Sequence, residues 1–427
     1  MSVLILNKKN LTKKKPASHP YQEWLAGAGP LILLSAAGTG PDAPSGWAWY
    51  EEFADYNRNG AVEIRAARLG REYQVRRVVS LSECDVVRAA RIRQWLGLPG
   101  QSVESALAFR DKHRTKTLAD EAGLAVPRFR AVDCAGEVLD FAAEVGGPLV
   151  VKRRSGSGSV GVRVLADRSA VERWVAGLCV APDEPWGLLA EEYVDARLFH
   201  VNGVMAGGRM LHAWSGTYVR PPLEALEKGR ARTVVMLPPE SELVRGLKEF
   251  TASVIAALPP VEEPTSFHAE AFRAADGTLS LCEIASRTGG RGINDIGRLA
   301  YGVDLDRCSV RGQAGLPVDL PPPGPPAARL FGSLTLPPRA GELTDIPTTC
   351  PLPGVVSYRT RPAPGAGVDA GTAGPSGYVA TAVVTGATPQ EQAERMQAVE
   401  RWFYERARWR RSATVRDDGE RREAPAL

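Results

Sequence analysis

The stretch FHAEAFRAADGTLSLCEIASRTGGRG, Phe267 to Gly292, carries two acidic residues on either side of a strong turn signal. Its centre, Asp276-Gly277, favours a tight hairpin because glycine tolerates the positive φ that such turns need. With these two residues as the loop, the register predicts that Glu270 faces Glu283 across two antiparallel strands. The apolar residues expected on the same face as these glutamates are Phe272, Leu279 and Leu281.

Carboxylates directly opposite one another on neighbouring strands repel, and the cost rises on an apolar face. A cation between them removes that cost, and a hard divalent ion such as Mg²⁺ takes oxygen ligands and commonly bridges to substrate phosphates. The pattern therefore favours a metal site at Glu270 and Glu283. Two alternatives stay open at this point: a surface hairpin with two solvated glutamates, or one glutamate paired to an arginine such as Arg287.

The composition is that of an ordinary globular protein with room for two or three domains. The chain has 427 residues, of which 44% are hydrophobic and 24% are charged. Its net charge of +4 is too small to indicate a nucleic-acid partner. Apolar runs such as Leu31–Ala37 are too short to cross a bilayer, and Lys8 and Lys9 interrupt any signal-peptide core. We therefore expect a cytoplasmic protein without a membrane partner.

The six cysteines are scattered without CxxC spacing, which argues against a zinc ribbon and against a disulfide scaffold. We expect them to be reduced and mostly buried.

Hydrophobic patterns along the chain predict several α/β units. Val3–Leu6 and Leu31–Leu34 have the pattern of buried strands and Glu83–Leu96 that of a helix, which indicates an open α/β domain at the N-terminus. Pro317–Pro326 is typical of a linker. Beyond it, a helical pattern at Pro389–Arg408 follows three strand-like runs and predicts a small α/β lobe. The runs are Leu330–Leu336, Val355–Arg359 and Gly377–Val384.

A glycine-serine segment follows Lys152 in the run VVKRRSGSGSVGV, Val150 to Val162. Small residues let backbone N–H groups close over a polyanion, and Lys152 adds charge, although a flexible surface hairpin explains the segment equally simply. A P-loop is excluded because GxxxxGK is missing. Two other runs are weaker signals: FRDKHRTK with Lys112, which is compatible with a solvated helix, and LLAEEYVDARLFHVNGV, Leu188 to Val204, which is compatible with an ordinary strand end.

Taken in order, these runs resemble the ATP-grasp superfamily, over roughly residues 75 to 310. The order is a lysine helix, a strand with lysine and a Gly-Ser loop, an EEYV segment, and paired glutamates followed by arginine. Leu98–Lys112, the ending CEIASRTGG and the C-terminal lobe look like the carboxylate–amine ligases that include bacterial L-amino-acid ligases and carnosine synthase. The resemblance implies that ATP phosphorylates a carboxylate and that an amine attacks the acyl phosphate, giving an amide, ADP and phosphate.

The resemblance also implies an architecture: an α/β fold with an N-terminal open α/β domain, a two-subdomain ATP-grasp core and a small C-terminal α/β lobe. The predicted divisions are 1–105 for the N-terminal domain, 106–316 for the core, 317–329 for the linker, 330–409 for the lobe and 410–427 for a charged tail that we expect to be disordered.

Site residues carry over by the same resemblance. Arg287 would stabilise the transferring phosphoryl group or hold the substrate carboxylate, and Glu270 and Glu283 would bind Mg²⁺, or Mn²⁺ in its place. Lys112 and Lys152 would contact the ATP phosphates, and the adenine would meet the main chain of the EEYV hinge. The flap over the phosphates would comprise Ser155, Gly156, Ser157, Gly158, Ser159 and Gly161. The hinge would comprise Glu191, Glu192, Tyr193 and Val194.

Two positions depart from the family pattern. Ala285 stands where most ATP-grasp enzymes carry a metal-binding asparagine, although alanine also occurs in the ligase subgroup, and this puts a second Mg²⁺ in doubt. Leu198 stands where a ribose-binding glutamate is common. Asp195 or His200 are candidates to replace it, with His200 otherwise a structural strand residue.

The substrates would be small-molecule carboxylates and amines, and homodimer formation is left open. The segment Trp214–Met236 would line their pocket, with Tyr218, Arg220, Arg230 and Arg232 suited to carboxylates, although a solvated basic loop is equally compatible. Two other functions stay open: a carboxylase of the biotin-carboxylase kind and a non-catalytic nucleotide-binding module. The first normally has a QVEH-like run after the arginine, where this chain has Thr288-Gly289-Gly290.

Overall fold

A computed structural model describes residues 2–11, 19–42, 45–178, 186–321, 329–361 and 377–410. Residues 322–328 of the predicted linker and residues 411–427 of the predicted tail lie outside these ranges. Within them, the chain has the mixed α/β architecture expected from the sequence.

The N-terminal part is a parallel sheet covered by helices on both faces. Its strands lie in the order β3-β2-β1-β4. One face packs against residues of α2 and α3, and the other against α1 together with Val310 and Ala314 from much later in the chain. This explains why β1 is apolar from Val3 to Leu6, since a strand buried on both faces has no polar alternation. The elements are β1 (Ser2–Asn7), α1 (Tyr21–Trp24), β2 (Leu31–Ala36), β3 (Trp49–Phe53), α2 (Ala61–Glu72), β4 (Val75–Ser80), α3 (Val86–Leu96) and α4 (Val103–Ala108).

A second, antiparallel sheet carries the predicted lysine strand and hinge. Its order is β5-β8-β6-β7, and α6 and α7 supply its core. The helix before it starts at Asp111, whose side chain caps it by accepting a hydrogen bond from the His113 N–H. The elements are α5 (Lys112–Glu121), β5 (Phe129–Val132), α6 (Ala135–Val145), β6 (Leu149–Arg153), β7 (Arg163–Leu165), α7 (Arg168–Ala176) and β8 (Leu188–Glu192).

The central sheet has the order β13-β12-β9-β10-β11-β14-β17-β16. Helix α9, capped by Ser241, covers one face of β9 and β12. The elements are β9 (Arg197–Ala206), β10 (Arg209–Thr217), α8 (Pro222–Glu227), β11 (Arg232–Met236), α9 (Glu242–Ala257), β12 (Thr265–Arg273), β13 (Leu279–Ala285), α10 (Ile293–Tyr301), α11 (Leu305–Gln313), β14 (Leu330–Leu336), β15 (Glu342–Asp345), β16 (Val355–Thr360), β17 (Ala380–Gly386), α12 (Pro389–Arg406) and β18 (Arg408–Arg410).

The C-terminal strands extend this central sheet, because β14 pairs with β11 and β17 pairs with β14. The predicted strands and helix of the lobe are therefore present, but they continue the sheet of the core. Only β15 and β18 form a separate small pair among the described residues. The domain boundaries themselves stay predictions.

No helix in the described ranges is long and apolar enough to cross a membrane.

Candidate active site

Glu270 on β12 and Glu283 on β13 are direct partners in the ladder, which confirms the predicted pairing. The predicted two-residue loop is wrong, since Arg273 pairs with Leu279 and the turn spans residues 274–278. A β-bulge leaves Cys282 without a partner on β12 and shifts the register by one residue. The two deviations cancel, so the glutamates meet after all.

The bulge also overturns the predicted face of the neighbouring leucines. Leu281 pairs with Ala271, and both lie in the core beneath α9, with Leu279 packed against the same cluster. An extra residue between Leu281 and Glu283 inverts the alternation of the strand, so the leucines lie on the face opposite the glutamates.

Lys112, the first residue of α5, joins the glutamates to the glycine-serine loop. Its Nζ lies 3.0 Å from Glu283 Oε2 and donates a hydrogen bond of 2.7 Å to the Gly156 carbonyl. Burial raises the pKa of Glu283, but Lys112 and Lys152 lower it more, so the net pKa lies well below its ordinary value. Glu283 is therefore ionised at neutral pH and available as an oxygen ligand.

Lys152, on β6, is buried and bound to Glu191 at 2.8 Å. A second buried lysine, Lys116, lies 3.5 Å from the other oxygen of Glu191 and donates to the Leu281 carbonyl at 2.7 Å. The sequence reading missed Lys116, although it stands one helical turn after Lys112 and so lies on the same side of α5. Glu191 is therefore the partner of two lysines as well as the first residue of the hinge.

The two lysines differ electrostatically. Burial alone lowers the pKa of Lys152, but Glu191 raises it more, whereas for Lys116 burial prevails and the pKa lies below its ordinary value. The distances agree with this difference in pKa, because Lys152 lies 2.8 Å from Glu191 and Lys116 lies 3.5 Å from it. For Glu191, burial raises the pKa, but the two lysines lower it more, so the carboxylate is ionised. By formal charge, one carboxylate with two lysines leaves one positive charge in surplus.

The glycine-serine loop connects β6 to β7, as predicted. Gly158, Ser159 and Gly161 all have positive φ, between 64° and 71°, so the backbone turns tightly here. Ser155, Ser157 and Gly158 are exposed, and Gly156 is the point at which the loop meets Lys112.

Arg287 lies beside the glutamates and is bound to Glu83, which comes from the N-terminal part. Arg110 approaches the same carboxylate at 3.5 Å. Burial lowers the pKa of Arg287, but Glu83 raises it more, so the guanidinium stays charged. A small cleft, open to solvent, is lined among others by Glu83, Arg110, Lys112, Ser157, Glu283 and Arg287. Glu83 had no local signal in the sequence, because its partner is 204 positions away.

The hinge comprises the last two residues of β8, Glu191 and Glu192, and the two residues that follow it. The N–H groups of Glu192 and Tyr193 donate to the Arg128 and Pro148 carbonyls, at 3.0 and 2.9 Å. Within the described residues, the N–H of Val194 has no hydrogen-bond partner. The hinge therefore presents one backbone donor, which is the kind of group that the predicted adenine contact requires.

His200, the candidate ribose residue, lies in the interior with no exposed surface. Its Nδ1 accepts from Asn202 at 2.8 Å, and burial holds its pKa well below the ordinary value. The structure does not bring it to an accessible surface, whereas Asp195 lies in the turn beside the hinge.

Of the residues expected in the substrate pocket, only Tyr218 meets the glutamates, by donating to Glu270 Oε1. Burial, and then Glu270, hold the pKa of Tyr218 well above its ordinary value. Arg220 lies 3.3 Å from Glu400 on α12, and Arg230 is exposed. Arg232 is buried, and burial together with Arg291 lowers its pKa to about 10.

The two positions that depart from the family pattern, Ala285 and Leu198, each lie opposite a residue of β12. Ala285 lies opposite His268 on β12, and Leu198 lies opposite Phe272 while packing partly against the core below α10. Neither side chain supplies an oxygen for a metal or a ribose.

The donor set fits a hard divalent cation. In the described ranges, no three side chains of His, Cys, Asp or Glu form a ready metal cluster, so the facing carboxylates of Glu270 and Glu283 are the candidate ligands. Mg²⁺ is commonly held in this way, by one or two carboxylates with water and phosphate oxygens completing the shell.

Comparison with known sequences and structures supports the predicted resemblance. No family model matches the chain. It is 25% identical to an L-arginine-specific L-amino acid ligase from Bacillus subtilis over 231 residues, which is 53% of this chain and 55% of that protein. The match thus spans about half the length of this relative.

Two solved structures are similar over nearly the whole chain. An L-amino acid ligase from Bacillus licheniformis has a TM-score of 0.70 at 18% identity, covering 96% of this chain and 98% of its own. The biotin carboxylase domain of a Hydrogenobacter thermophilus 2-oxoglutarate carboxylase, a dimer with MgADP and bicarbonate, has a TM-score of 0.65 at 14% identity, covering 96% and 90%. These likenesses confirm the ATP-grasp fold expected from the sequence.

Proposed function

We propose that this chain, which has the ATP-grasp fold and resembles L-amino acid ligases in sequence, is an ATP-dependent carboxylate–amine ligase. The observation that carries the proposal is the facing pair Glu270 and Glu283, with Lys112 bound to one of them and Arg287 on the same cleft. Facing carboxylates with lysine and arginine beside them are what phosphoryl transfer needs, since that reaction depends on positioning and charge neutralisation.

Glu270 and Glu283 would hold Mg²⁺, or Mn²⁺ in its place, and Lys112, Lys152 and the loop 155–161 would hold the phosphates of ATP. Bound there, the metal neutralises charge on the phosphate oxygens. The adenine would bind to the main chain of the hinge. The Val194 N–H would donate a hydrogen bond to a ring nitrogen, and the Glu192 carbonyl would accept one from the amino group.

Lys112 links these roles, because it neutralises Glu283 from 3.0 Å away. A cation at Glu283 would take over that neutralisation and would release Lys112 toward a phosphate. The contact between Lys112 and the Gly156 carbonyl would move with it, so nucleotide and metal would be bound together.

In the proposed reaction, an oxygen of the substrate carboxylate attacks the γ-phosphorus and ADP leaves. The amine nitrogen then attacks the acyl carbon, phosphate leaves with the electrons of the broken C–O bond, and the nitrogen loses a proton. Arg287 would neutralise charge on the phosphoryl group as it is transferred. Glu83, bound to Arg287, would keep the guanidinium in place until substrate arrives.

The sequence match to the arginine-specific ligase favours amino acids as substrates, and the likeness to the Bacillus licheniformis ligase covers almost all of both chains. The test is a panel of amino acids and small acids, offered singly and in pairs with MgATP, with ADP, phosphate and amide measured together. We expect ADP to appear in step with amide only when both a carboxylate and an amine are present.

The fold likeness to a biotin carboxylase domain supports a second candidate, an ATP-dependent carboxylase. ATP consumption with bicarbonate as the sole acceptor would replace the ligase proposal by this one. Nucleotide binding without turnover across the whole panel would instead indicate a non-catalytic binding module.

A further inference from the structure

Tyr218 reaches Glu270 across an intervening strand. It follows β10, whereas Glu270 is on β12, and β9 lies between these two strands. The Tyr218 hydroxyl nevertheless donates to Glu270 Oε1, in a buried position. A contact of this reach requires the ring to be supported along its length.

The support is His200, the β9 residue that pairs with Gly216 on one side and with Glu270 on the other. The rings of Tyr218 and His200 are 5.0 Å apart between centroids. Gly216 makes this possible, because a Cβ at that position would lie 2.3 Å from His200 Cε1. The His200 ring therefore occupies space that any other residue at position 216 would fill.

A second imidazole flanks the same carboxylate oxygen. His268 Nε2 lies 3.7 Å from Glu270 Oε1, and its Nδ1 donates to Asn202 Oδ1 at 2.7 Å. Asn202 in turn donates to His200 Nδ1. One buried polar chain thus links His200, beside the Tyr218 ring, to His268, beside Glu270 Oε1. Glu270 Oε2 receives no hydrogen bond within the described part of the chain.

The two facing glutamates are therefore held in different ways. Glu283 has a charged partner, Lys112, whose role a cation takes over on binding. Glu270 has a neutral partner, the Tyr218 hydroxyl, on Oε1. This hydroxyl need not leave when a cation binds to Oε2.

We propose that Tyr218 is a positioning residue that holds Glu270 by Oε1 and presents Oε2 to the divalent cation, so that Glu270 binds it through one oxygen. His200 and Gly216 keep the Tyr218 ring in place. The proposal rests on the metal role of Glu270 in the proposed function. Partners of metal-binding carboxylates orient the ligand, and their loss lowers metal affinity by roughly 10- to 100-fold.

The test is Mn²⁺ binding to the full chain with a non-hydrolysable ATP analogue, followed by electron paramagnetic resonance. Tyr218→Phe removes one oxygen atom and keeps the ring on His200, and we expect Mn²⁺ to bind on the order of tenfold more weakly. Tyr358→Phe is the matched control: Tyr358 donates to the Pro347 carbonyl at 2.8 Å on β16, the opposite edge of the sheet, and its loss should leave Mn²⁺ affinity unchanged.

A double-mutant cycle separates positioning from a general structural role. If Tyr218 acts through Glu270, adding Tyr218→Phe to Glu270→Gln should change Mn²⁺ affinity by less than about twofold. Equal affinity of the wild type and Tyr218→Phe overturns the inference, as does an undiminished effect in the Glu270→Gln background. The ligase proposal is judged separately by amide formation, so a wild type that binds Mn²⁺ but makes no amide rejects that proposal alone.

Discussion

Two glutamates, the buried Glu191 and the partly exposed Glu283, both lie beside lysines, yet they differ in the ratio of lysines to carboxylates. Glu191 is bound by Lys152 at 2.8 Å and approached by Lys116 at 3.5 Å, which leaves one surplus positive charge. Glu283 is bound by one lysine, Lys112, and faces a second carboxylate, so two carboxylates share one directly bound lysine. Unbalanced charge in a buried site is costly unless an ion of opposite sign joins it.

The difference teaches what each set is suited to bind. Glu191 with Lys116 and Lys152 has more lysines than carboxylates, which suits the binding of an anion such as a phosphate group. Around Glu283, two carboxylates share one directly bound lysine, which suits a further cation, and the Glu283 side chain is 25% exposed. The two sets are linked through Lys152, whose charge also lowers the pKa of Glu283. Adjacent sets of this kind match a metal–nucleotide pair.

The largest effect is expected from Lys152→Met, which removes the positive surplus and leaves Glu191 with Lys116 alone. Formation of ADP should fall by on the order of 10³-fold, because the charge facing the phosphates is lost in a site with little water. Initial rates with saturating substrates measure it, and Lys228→Met, which breaks only an exposed pair with Glu224, is the control. A Lys152→Met protein with the parental rate would show that the loop and lysine serve another purpose.

Arg287→Ala should come next, with kcat lowered on the order of 10²-fold and the KM for ATP little changed. The reason is that Arg287 lies beside Glu283, a candidate metal ligand, and would act on charge that develops as the phosphoryl group is transferred. Steady-state kinetics separate the two constants, with Arg245→Ala, an exposed partner of Glu242, as the control. A rise in the KM for ATP at constant kcat would instead place Arg287 among the nucleotide-binding residues.

Lys116→Met should have a moderate effect that distinguishes the two lysines of the anion-binding set. It leaves the neutral pair Glu191–Lys152 and removes the hydrogen bond to the Leu281 carbonyl. We expect the free energy of unfolding to fall by about 1–3 kcal/mol and the KM for ATP to rise on the order of tenfold. Denaturant titration and steady-state kinetics measure these quantities. A loss of kcat as large as that of Lys152→Met would contradict the division of roles between the lysines.

The smallest effect concerns acid stability. Because the folded pKa of Glu283 lies below its unfolded value, its ionised form stabilises the fold above that unfolded value, and this contribution is lost as the pH falls toward the folded pKa. The wild type should exceed Glu283→Gln in unfolding free energy at pH 7 by on the order of 1 kcal/mol, and the difference should shrink below about pH 4. Denaturant titrations at several pH values test this. The exposed Glu242→Gln should show no such trend, and a constant difference for Glu283→Gln would refute it.

Short-range patterns predicted much of the candidate site. Lys152, the glycine-serine loop and the strands around it are local. The pairing of Glu270 with Glu283 was also predicted, but by a register that was wrong near the turn. The bulge at Cys282 corrects it, and the residue before the bulge has distant partners: the Leu281 N–H donates to the Ala125 carbonyl, and the Leu281 carbonyl accepts from Lys116. No pattern within the hairpin encodes contacts to residues more than 150 positions away.

Three residues of the site acquire their roles only through such contacts. Glu83 meets Arg287 from the N-terminal part, Lys116 meets Glu191, and Tyr218 meets Glu270 across β9. Periodicity cannot reveal them, because a polar residue on a helix or after a strand has the same local pattern whether it faces solvent or a buried partner.

The sequence by itself determined the α/β architecture, the order of the motifs and the residue types that phosphoryl transfer requires. Alternation, glycine placement and apolar runs act over a few residues, and the backbone obeys them locally. Only the tertiary structure decided which lysine balances which carboxylate, how the C-terminal strands continue the central sheet, and that His200 lies in the interior as a support for Tyr218. These depend on long-range packing, where burial and the sum of neighbouring charges decide the outcome.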